Sequence, residues 1–419
     1  MSRPGIFLLL LFCSGIGLFP GCKKQSPNYV PPNAVDSFVK DPYGSIYING
    51  DQLYKLDIQT GVTEWTTYNV LAFASFMAPL YFDSGYFYSG SLDGIATYNY
   101  QTGQLIWLGY TPATAGMDGY APYRVVAIKD SLAIYAGSTG VGYGQANMYC
   151  VRKRNGTLVW QNTVDTTGYL TDFTSIPYIA DGNVVTLTRN YNGDTQITAY
   201  DPVTGKKIWA TANNDNLQSR LLIGNHAIYN VDLQNANCYS ASDGSLLWSR
   251  DDLPTSGYYL DLNCFLDGDK LIVAGGVSPI SCTVNVYNTA NGSLLSSQSF
   301  ALPLALSNYF TFNYSNNVLY TSANETGGTV NVHAYDINAQ KEKWTYRFRN
   351  IGEYGDITTP DFMILPEARD STGSYITFLD IEKGTVVKKV PFSSSDISEI
   401  LYTDSTGNVY SQPKYWKTI

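Results

Sequence analysis

Histidine is nearly missing from this 419-residue chain, which has two, and methionine (five) and cysteine (six) are also scarce. Positive charge is in deficit: 26 Lys and Arg against 35 Asp and Glu give a formal net charge of −9. A fold without a basic stripe does not neutralise phosphates, so nucleic acid is not an expected partner. Charged residues make up only 15% of the chain, too few for a disordered polyampholyte, while the 44% that are hydrophobic suffice for a large core. There is no long run of helix formers. Instead there are 35 Tyr and 17 Phe, with Val, Ile, Thr and Trp spread along the chain, which is the composition of strands.

The first residues read as an address. Arg3 precedes an uncharged apolar stretch, GIFLLLLFCSGIGLF at 5–19, too short for a span of ~20 residues, and Phe19-Pro20-Gly21-Cys22 closes it. The ending resembles a lipobox, which implies removal of a signal peptide at 1–21 and lipidation of the Cys22 thiol. Phe19 and Pro20 depart from the usual residues, and an ordinary signal peptide or an uncleaved anchor are the alternatives; all three export the chain. Lys23 after the Cys resembles the Gram-negative pattern sorted to the outer membrane. Residues 22–33 are polar and Pro-rich, a tether whose eleven residues KKQSPNYVPPN span about 34 Å at ~3.1 Å each. The rest, 34–419, is read as one domain.

Self-similarity carries the fold. AYDPVTGKKIW (199–209), KLDIQTGVTEW (55–65) and TYNYQTGQLIW (97–107) share one frame, and CVRKRNGTLVW (150–160), CYSASDGSLLW (238–248), VYNTANGSLLS (286–296), AYDINAQKEKW (334–344) and FLDIEKGTVVK (378–388) are weaker copies. The glycine position recurs at 61, 103, 156, 205, 244, 292, 340 and 384. Such spacing fits one four-stranded blade per copy, because four strands of ~5 residues with short connections need some forty residues. The sequence therefore predicts an all-β, eight-bladed propeller of four-stranded antiparallel blades. Within the frame, glycine supplies positive φ for the hairpin between the third and fourth strands. Asp57, Asn99, Asp201, Asn288, Asp336 and Asp380 can accept backbone N–H bonds inside that turn. Trp65, Trp107, Trp160, Trp209, Trp248 and Trp344 are expected to wedge neighbouring blades, with each indole N–H needing a partner.

The pattern A-x-D-x-x-T-G-x-x-x-W resembles the tryptophan-docking repeat of quinoprotein alcohol dehydrogenase-like (pyrroloquinoline-quinone repeat) propellers. That family holds both oxidoreductases and non-catalytic scaffolds, including the propeller lipoprotein of the outer-membrane β-barrel assembly machinery. In the oxidoreductases, the resemblance implies a Trp-stacked quinone, a calcium held by Glu, Asn and Asp, and often a disulfide between adjacent cysteines. This sequence has no Cys-Cys step, its framed Trp are committed to docking, and no quinone-site residue matches position by position. No cofactor and no metal are expected, and the lipoprotein branch is the nearer likeness.

Two similar segments, VKDPYGSIYING (39–50) and YTDSTGNVYSQ (402–412), compete to close the ring. The C-terminal strands are expected to complete the blade begun at the N-terminus, because an unclosed ring exposes edges. Cys150 and Cys238 fall on the small buried frame position and read as core residues. Cys264 and Cys282, on the first and third strands of one blade, are too far apart to bridge. His226 and His333 are placed in strands, without metal-ligand spacing. No G-x-S-x-G elbow supports a nucleophile, and GSTGVGYGQAN (137–147) leads into a strand rather than a helix, so it reads as a flexible loop and not a phosphate cradle. The Asp261, Asp267 and Asp269 cluster is explained by a Gly268 hairpin. No catalytic residue is assigned.

The long connections, opposite the short Asp-Gly turns, include 109–123, 137–147, 164–173, 190–195, 254–259, 275–281 and 349–356, and most carry Tyr beside Gly. Rigid aromatic area on an adaptable backbone suits binding, and Tyr120, Tyr143, Tyr169, Tyr191, Tyr258 and Tyr354 are the candidates. The expected function is a monomeric, non-catalytic scaffold in the cell envelope, tethered to the outer membrane, with an envelope protein as partner. A glycan-binding or glycan-processing surface lipoprotein is the alternative, and a quinone-dependent dehydrogenase a more remote one.

Overall fold

The computed structural model describes residues 44–50, 52–68, 81–83, 85–91, 94–110, 124–139, 145–163, 172–173, 178–189, 195–213, 220–232, 234–254, 263–278, 281–301, 310–324, 329–349, 357–370, 373–392, 397–403 and 409–411. They form eight antiparallel sheets arranged as an eight-bladed β-propeller, with no helix among the described residues. Blades are numbered 1 to 8 by their motif hairpins. Blade 5 shows the unit: Arg220–Gly224, Ala227–Val231, Ala236–Ser240 and Leu246–Arg250, paired in that order. First strands of successive blades lie beside one another, Arg220–Gly224 next to Asn263–Asp267 for example, and so surround the axis. Fourth strands, which carry the tryptophans, form the outer rim.

Alternation accounts for the core. In Ala227–Val231 every side chain is buried: Ala227, Tyr229 and Val231 face blade 6 with Cys264, Leu271 and Val273, while Ile228 faces blade 4 with Leu187 and Ile197. A sheet covered on both faces reads as continuous hydrophobicity, which is why the second and third strands lack the polar alternation of a half-exposed sheet. The core is a series of apolar layers between blades.

Blade 1 is shared by both ends of the chain. Ser45–Gly50 pairs with Ile397–Thr403 from Ser45↔Thr403 to Asn49↔Glu399, and Val409–Ser411 adds on beyond. Ile46, Ile48, Ile400 and Tyr402 are packed in one cluster with Ile364, Phe378 and Val390 of blade 8. Closure thus takes the route expected from the duplicated segments.

Two local expectations are corrected. His226 is not in a strand: Asn225 and His226, at φ 53° and 59°, are the two central residues of a tight turn, the left-handed pair that matches hairpin twist. Its ring nitrogen lies 2.6 Å from Asp181 of blade 4. Several Gly-rich connections are also shorter than the sequence suggested. Gly137, Ser138 and Thr139 extend the second strand of blade 3 and pair through to Gln145, and Gly275, Gly276 and Ser278 extend that of blade 6. Glycine is a weak strand former by itself. Here the facing strand supplies hydrogen-bond partners, and pairing overrides propensity.

Candidate functional site

Each motif begins as a turn. Gly61, Gly103, Gly156, Gly205, Gly244, Gly292 and Gly384 have φ between 66° and 73°, and each of their N–H groups donates to the carbonyl four residues earlier. The Asx side chain ties the loop from within: Asp57 Oδ1 accepts the N–H of Gln59 (2.9 Å) and Thr60 (2.6 Å), and Asp201 Oδ1 those of Val203 (2.9 Å) and Thr204 (2.7 Å). These bonds, led by the Thr60 and Thr204 backbone N–H, hold both carboxyls below the ordinary carboxylate range. A depressed native pKa stabilises the fold above the unfolded value near 4, and that contribution is lost as pH falls through the native pKa. Asn serves the same role at 99 and 288. The double variant Asp57→Asn/Asp201→Asn should therefore melt below the wild type at pH 7, and thermal melts followed by circular dichroism should show the difference closing as the pH falls through the carboxylate range.

After the turn, all eight hairpins skip one residue in register, the one before the frame's last position: Ala199 pairs with Trp209 but Tyr200 with Lys207, leaving Ile208 unmatched. This β-bulge twists the fourth strand and turns its next side chain onto the neighbouring blade. It also leaves apolar pairs in solvent at the rim, Leu246 and Leu247 both at 55% exposure. The bulge was not legible in the sequence frame, because pairing register is not visible in one strand alone.

The indoles then join blade to blade in one direction. Trp107 of blade 2 donates to Lys153 O of blade 3 (2.8 Å), Trp160 to Pro202 O (2.9 Å), Trp248 to Thr289 O (2.9 Å) and Trp344 to Ile381 O (3.0 Å). Trp65 and Trp209 make the longer bonds to Tyr100 O (3.2 Å) and Ala241 O (3.3 Å). Each ring lies on the glycine of the next turn so closely that a Cβ there would fall 2.4 to 2.8 Å from it. The glycines thus answer two needs, positive φ and room for a flat ring.

Two of the eight junctions have no indole among the described residues. Between blades 8 and 1, Val390 and Pro391 cover Gly61, with Pro391 Cδ 2.8 Å from where a Cβ would stand. Between blades 6 and 7, Ser296 stands in the tryptophan position and Gln340, at φ 54°, in the glycine position. A cleft of about 90 Å³ remains, floored by Ile272, Val286 and Ile337 and bounded by Ser296, Tyr314 and Lys270. Neither frame departure was read from the sequence as a feature, although both were visible in it.

Conventional chemistry is sparse among the described residues. No three of His, Cys, Asp and Glu are arranged to hold a metal. His333 Nδ1 is 3.0 Å from Glu342 Oε2 and 3.2 Å from Thr345 Oγ1, and Thr345 also donates to Glu342 (2.8 Å). Acid and hydroxyl meet the same ring nitrogen, so the trio is not a relay in which one nitrogen takes a proton while the other is oriented. Burial would raise the Glu342 carboxyl, but its bonds from Thr345 and His333 outweigh that and hold it low. Cys150, Cys238, Cys264 and Cys282 are all buried and in no disulfide, and burial pushes the thiols of Cys150, Cys238 and Cys282 up to about 12. Thiol titration at pH 8 with an aromatic disulfide reagent is expected to register none of these four in the native protein and all four in denaturant.

Tyr120, Tyr143, Tyr169, Tyr191, Tyr258 and Tyr354 lie outside the described residues, as do Cys22, its tether and Asp261. The described strands show where those connections spring from: Tyr143 and Tyr191 fall in sequence between paired second and third strands, Leu132–Thr139 with Gln145–Arg152 and Asn183–Arg189 with Thr195–Tyr200, and the other four follow the fourth strand of a blade.

Asx-braced turns, bulges and one-directional indole wedges define an eight-bladed propeller of the pyrroloquinoline-quinone repeat type. Within that class the chain belongs to the family described as outer membrane protein assembly factor BamB, whose profile matches residues 144–390. No curated protein sequence matches the chain. Among solved structures, BamB from Moraxella catarrhalis is 13% identical, covers 80% of this chain and 96% of its own and superposes with a TM-score of 0.52. Dihydro-heme d1 dehydrogenase NirN in complex with DHE is 12% identical, covers 85% and 75%, and gives 0.58. Apo AztD from Citrobacter koseri is 10% identical, covers 89% and 99%, and gives 0.53. At such identities the likeness is one of fold, shared by an assembly factor and a dehydrogenase alike.

Proposed function

We propose that this chain is an exported, lipid-anchored scaffold of the bacterial envelope that binds a protein of the outer-membrane assembly machinery through its long-connection face. The observation that carries the reading is the family match over 144–390, to assembly factors. It is supported by the use of the framed indoles as wedges, which leaves them unavailable for stacking a cofactor. Cys22 is the anchor, and Tyr120, Tyr143, Tyr169, Tyr191, Tyr258 and Tyr354 supply contact area, a role that suits aromatic side chains beside flexible backbone.

Two measurements test it. Palmitate labelling in a lipoprotein-processing host should mark the full chain and not Cys22→Ala. Co-purification of the barrel-assembly complex from detergent-solubilised envelope should accompany the wild type and be lost when the six tyrosines are changed to Ala, with the circular dichroism of the propeller unchanged. Retention of the complex by the six-Ala variant would refute the face. Binding to a glycan array without retention of the complex would replace the protein partner with a glycan.

A further inference from the structure

The cleft between blades 6 and 7 occupies the place where the ring elsewhere seats an indole. Strand register makes the correspondence explicit. At the junction of blades 5 and 6, Tyr229, Cys238 and Trp248 stand side by side across three strands, and the indole bonds Thr289 O. One blade on, the same three positions are Ile272, Val286 and Ser296, and the carbonyl in the Thr289 place belongs to Ile337. All four line the cleft, three of them with apolar side chains, and Ser296 is too small to fill it.

The other walls suit an aromatic guest. Tyr314 lines the cleft with its hydroxyl fixed by Asp267 (2.7 Å) and Asn317 (3.3 Å), so its ring is held as a rigid surface. Lys270 lines the same space. Leu295, half exposed at the bulge, extends the apolar mouth. Gln340 sets the limit on the pose. At the six indole-bearing junctions a Cβ on the glycine would lie 2.4 to 2.8 Å from the ring, so a tryptophan tethered at 296 would collide with the Cβ that Gln340 carries. A free ring can stand off by the ångström or so that an ordinary van der Waals contact of about 3.5 Å requires.

We propose that this cleft is a binding slot for a small planar aromatic molecule bearing one hydrogen-bond donor, of which indole is the type, seated between Val286, Ile337 and Tyr314 with its N–H toward Ile337 O. It lies at the outer junction of two blades on the motif-turn side, apart from the long-connection face proposed for a protein partner. The two sites stand or fall separately.

Calorimetric titration of the full chain with indole is expected to give saturable one-to-one binding, with N-methylindole about tenfold weaker, the loss of one hydrogen bond. The variant Ser296→Trp/Gln340→Gly rebuilds the frame of the sister junctions, so it should unfold at higher temperature than the wild type and bind no indole. Ser296→Leu offers a second route: it fills the cleft without needing the Gln340 change, and should weaken indole at least tenfold. A tryptophan-bearing tripeptide distinguishes sources, since binding as tight as indole would mean that a side chain of another protein is the natural guest. Absence of indole binding to the wild type at millimolar concentration, or undiminished binding by a folded double variant, would overturn the proposal.

Discussion

A chain that stops before Ile397 is expected to lose its monomeric fold. Removing Ile397–Thr403 takes away the strand that pairs with Ser45–Gly50 and, with it, Ile400 and Tyr402, which are packed against Ile46, Ile48 and Ile364. Two buried side chains are worth about 1.5–3 kcal/mol each, and each ladder hydrogen bond about 1 kcal/mol. The total, roughly 10 kcal/mol, is comparable with the whole stability of a folded domain, about 5–15 kcal/mol. The loss also bares an edge on Ser45–Gly50 that invites pairing with another copy. Light scattering on the truncated protein should therefore show oligomers or aggregate, and a synthetic peptide of residues 397–411 should restore the monomer. A truncated protein that stays monomeric with an unchanged melting temperature would show that closure through blade 1 is dispensable.

The second large effect is expected at Trp107. Its side chain is 1% exposed, lies edge-on to Tyr88 at 6.2 Å, covers Gly156 and donates to Lys153 O at 2.8 Å. Trp107→Ala opens a cavity between blades 2 and 3 at a cost of about 3–5 kcal/mol, and the Lys153 carbonyl loses its donor. With an unfolding entropy of roughly 2 cal/mol/K per residue, a propeller of this size should melt about 5 °C lower. Trp65 sits in the same frame but is partly exposed and makes the longer bond of 3.2 Å, so Trp65→Ala should cost less. Calorimetry on the two variants would check the order, and equal losses would mean that burial does not govern the wedge.

Much of this architecture was written in the eleven-residue frame. Asp201, Gly205 and Trp209 have separate physical reasons to recur, and finding all three at fixed spacing specified turn and wedge together, whereas the bulge between them shows only in the pairing register. Blade 7 shows why the frame survives imperfect copies: Gln340 takes the left-handed conformation of the missing glycine, because the turn is held by its neighbours and no indole presses on that residue. Strand ends were less legible, since whether Gly137 or Gly275 is paired depends on the strand opposite. His226, expected in a strand, lies instead with Asn225 in the turn. The cleft was hidden for a different reason: Ser296 and Gln340 each read as a decayed repeat, and only the ring brings the two decays to one junction. The loop tyrosines had no repeat to anchor them, and their assignment rests on composition alone.

Sharing blade 1 between distant segments has a consequence for the order of synthesis. Ser45–Gly50 leaves the ribosome, and any export channel, some 350 residues before its partner at Ile397–Thr403. Through that interval the early hairpin must wait with one flank unmatched, while blades 2 to 7 can assemble in turn, each clasping the next. The last event is then a docking of two chain segments whose proximity the preceding blades have already arranged. Slow translation of the final strands, or a holding chaperone at the N-terminal flank, should therefore affect yield far more than equivalent delays in the middle of the chain.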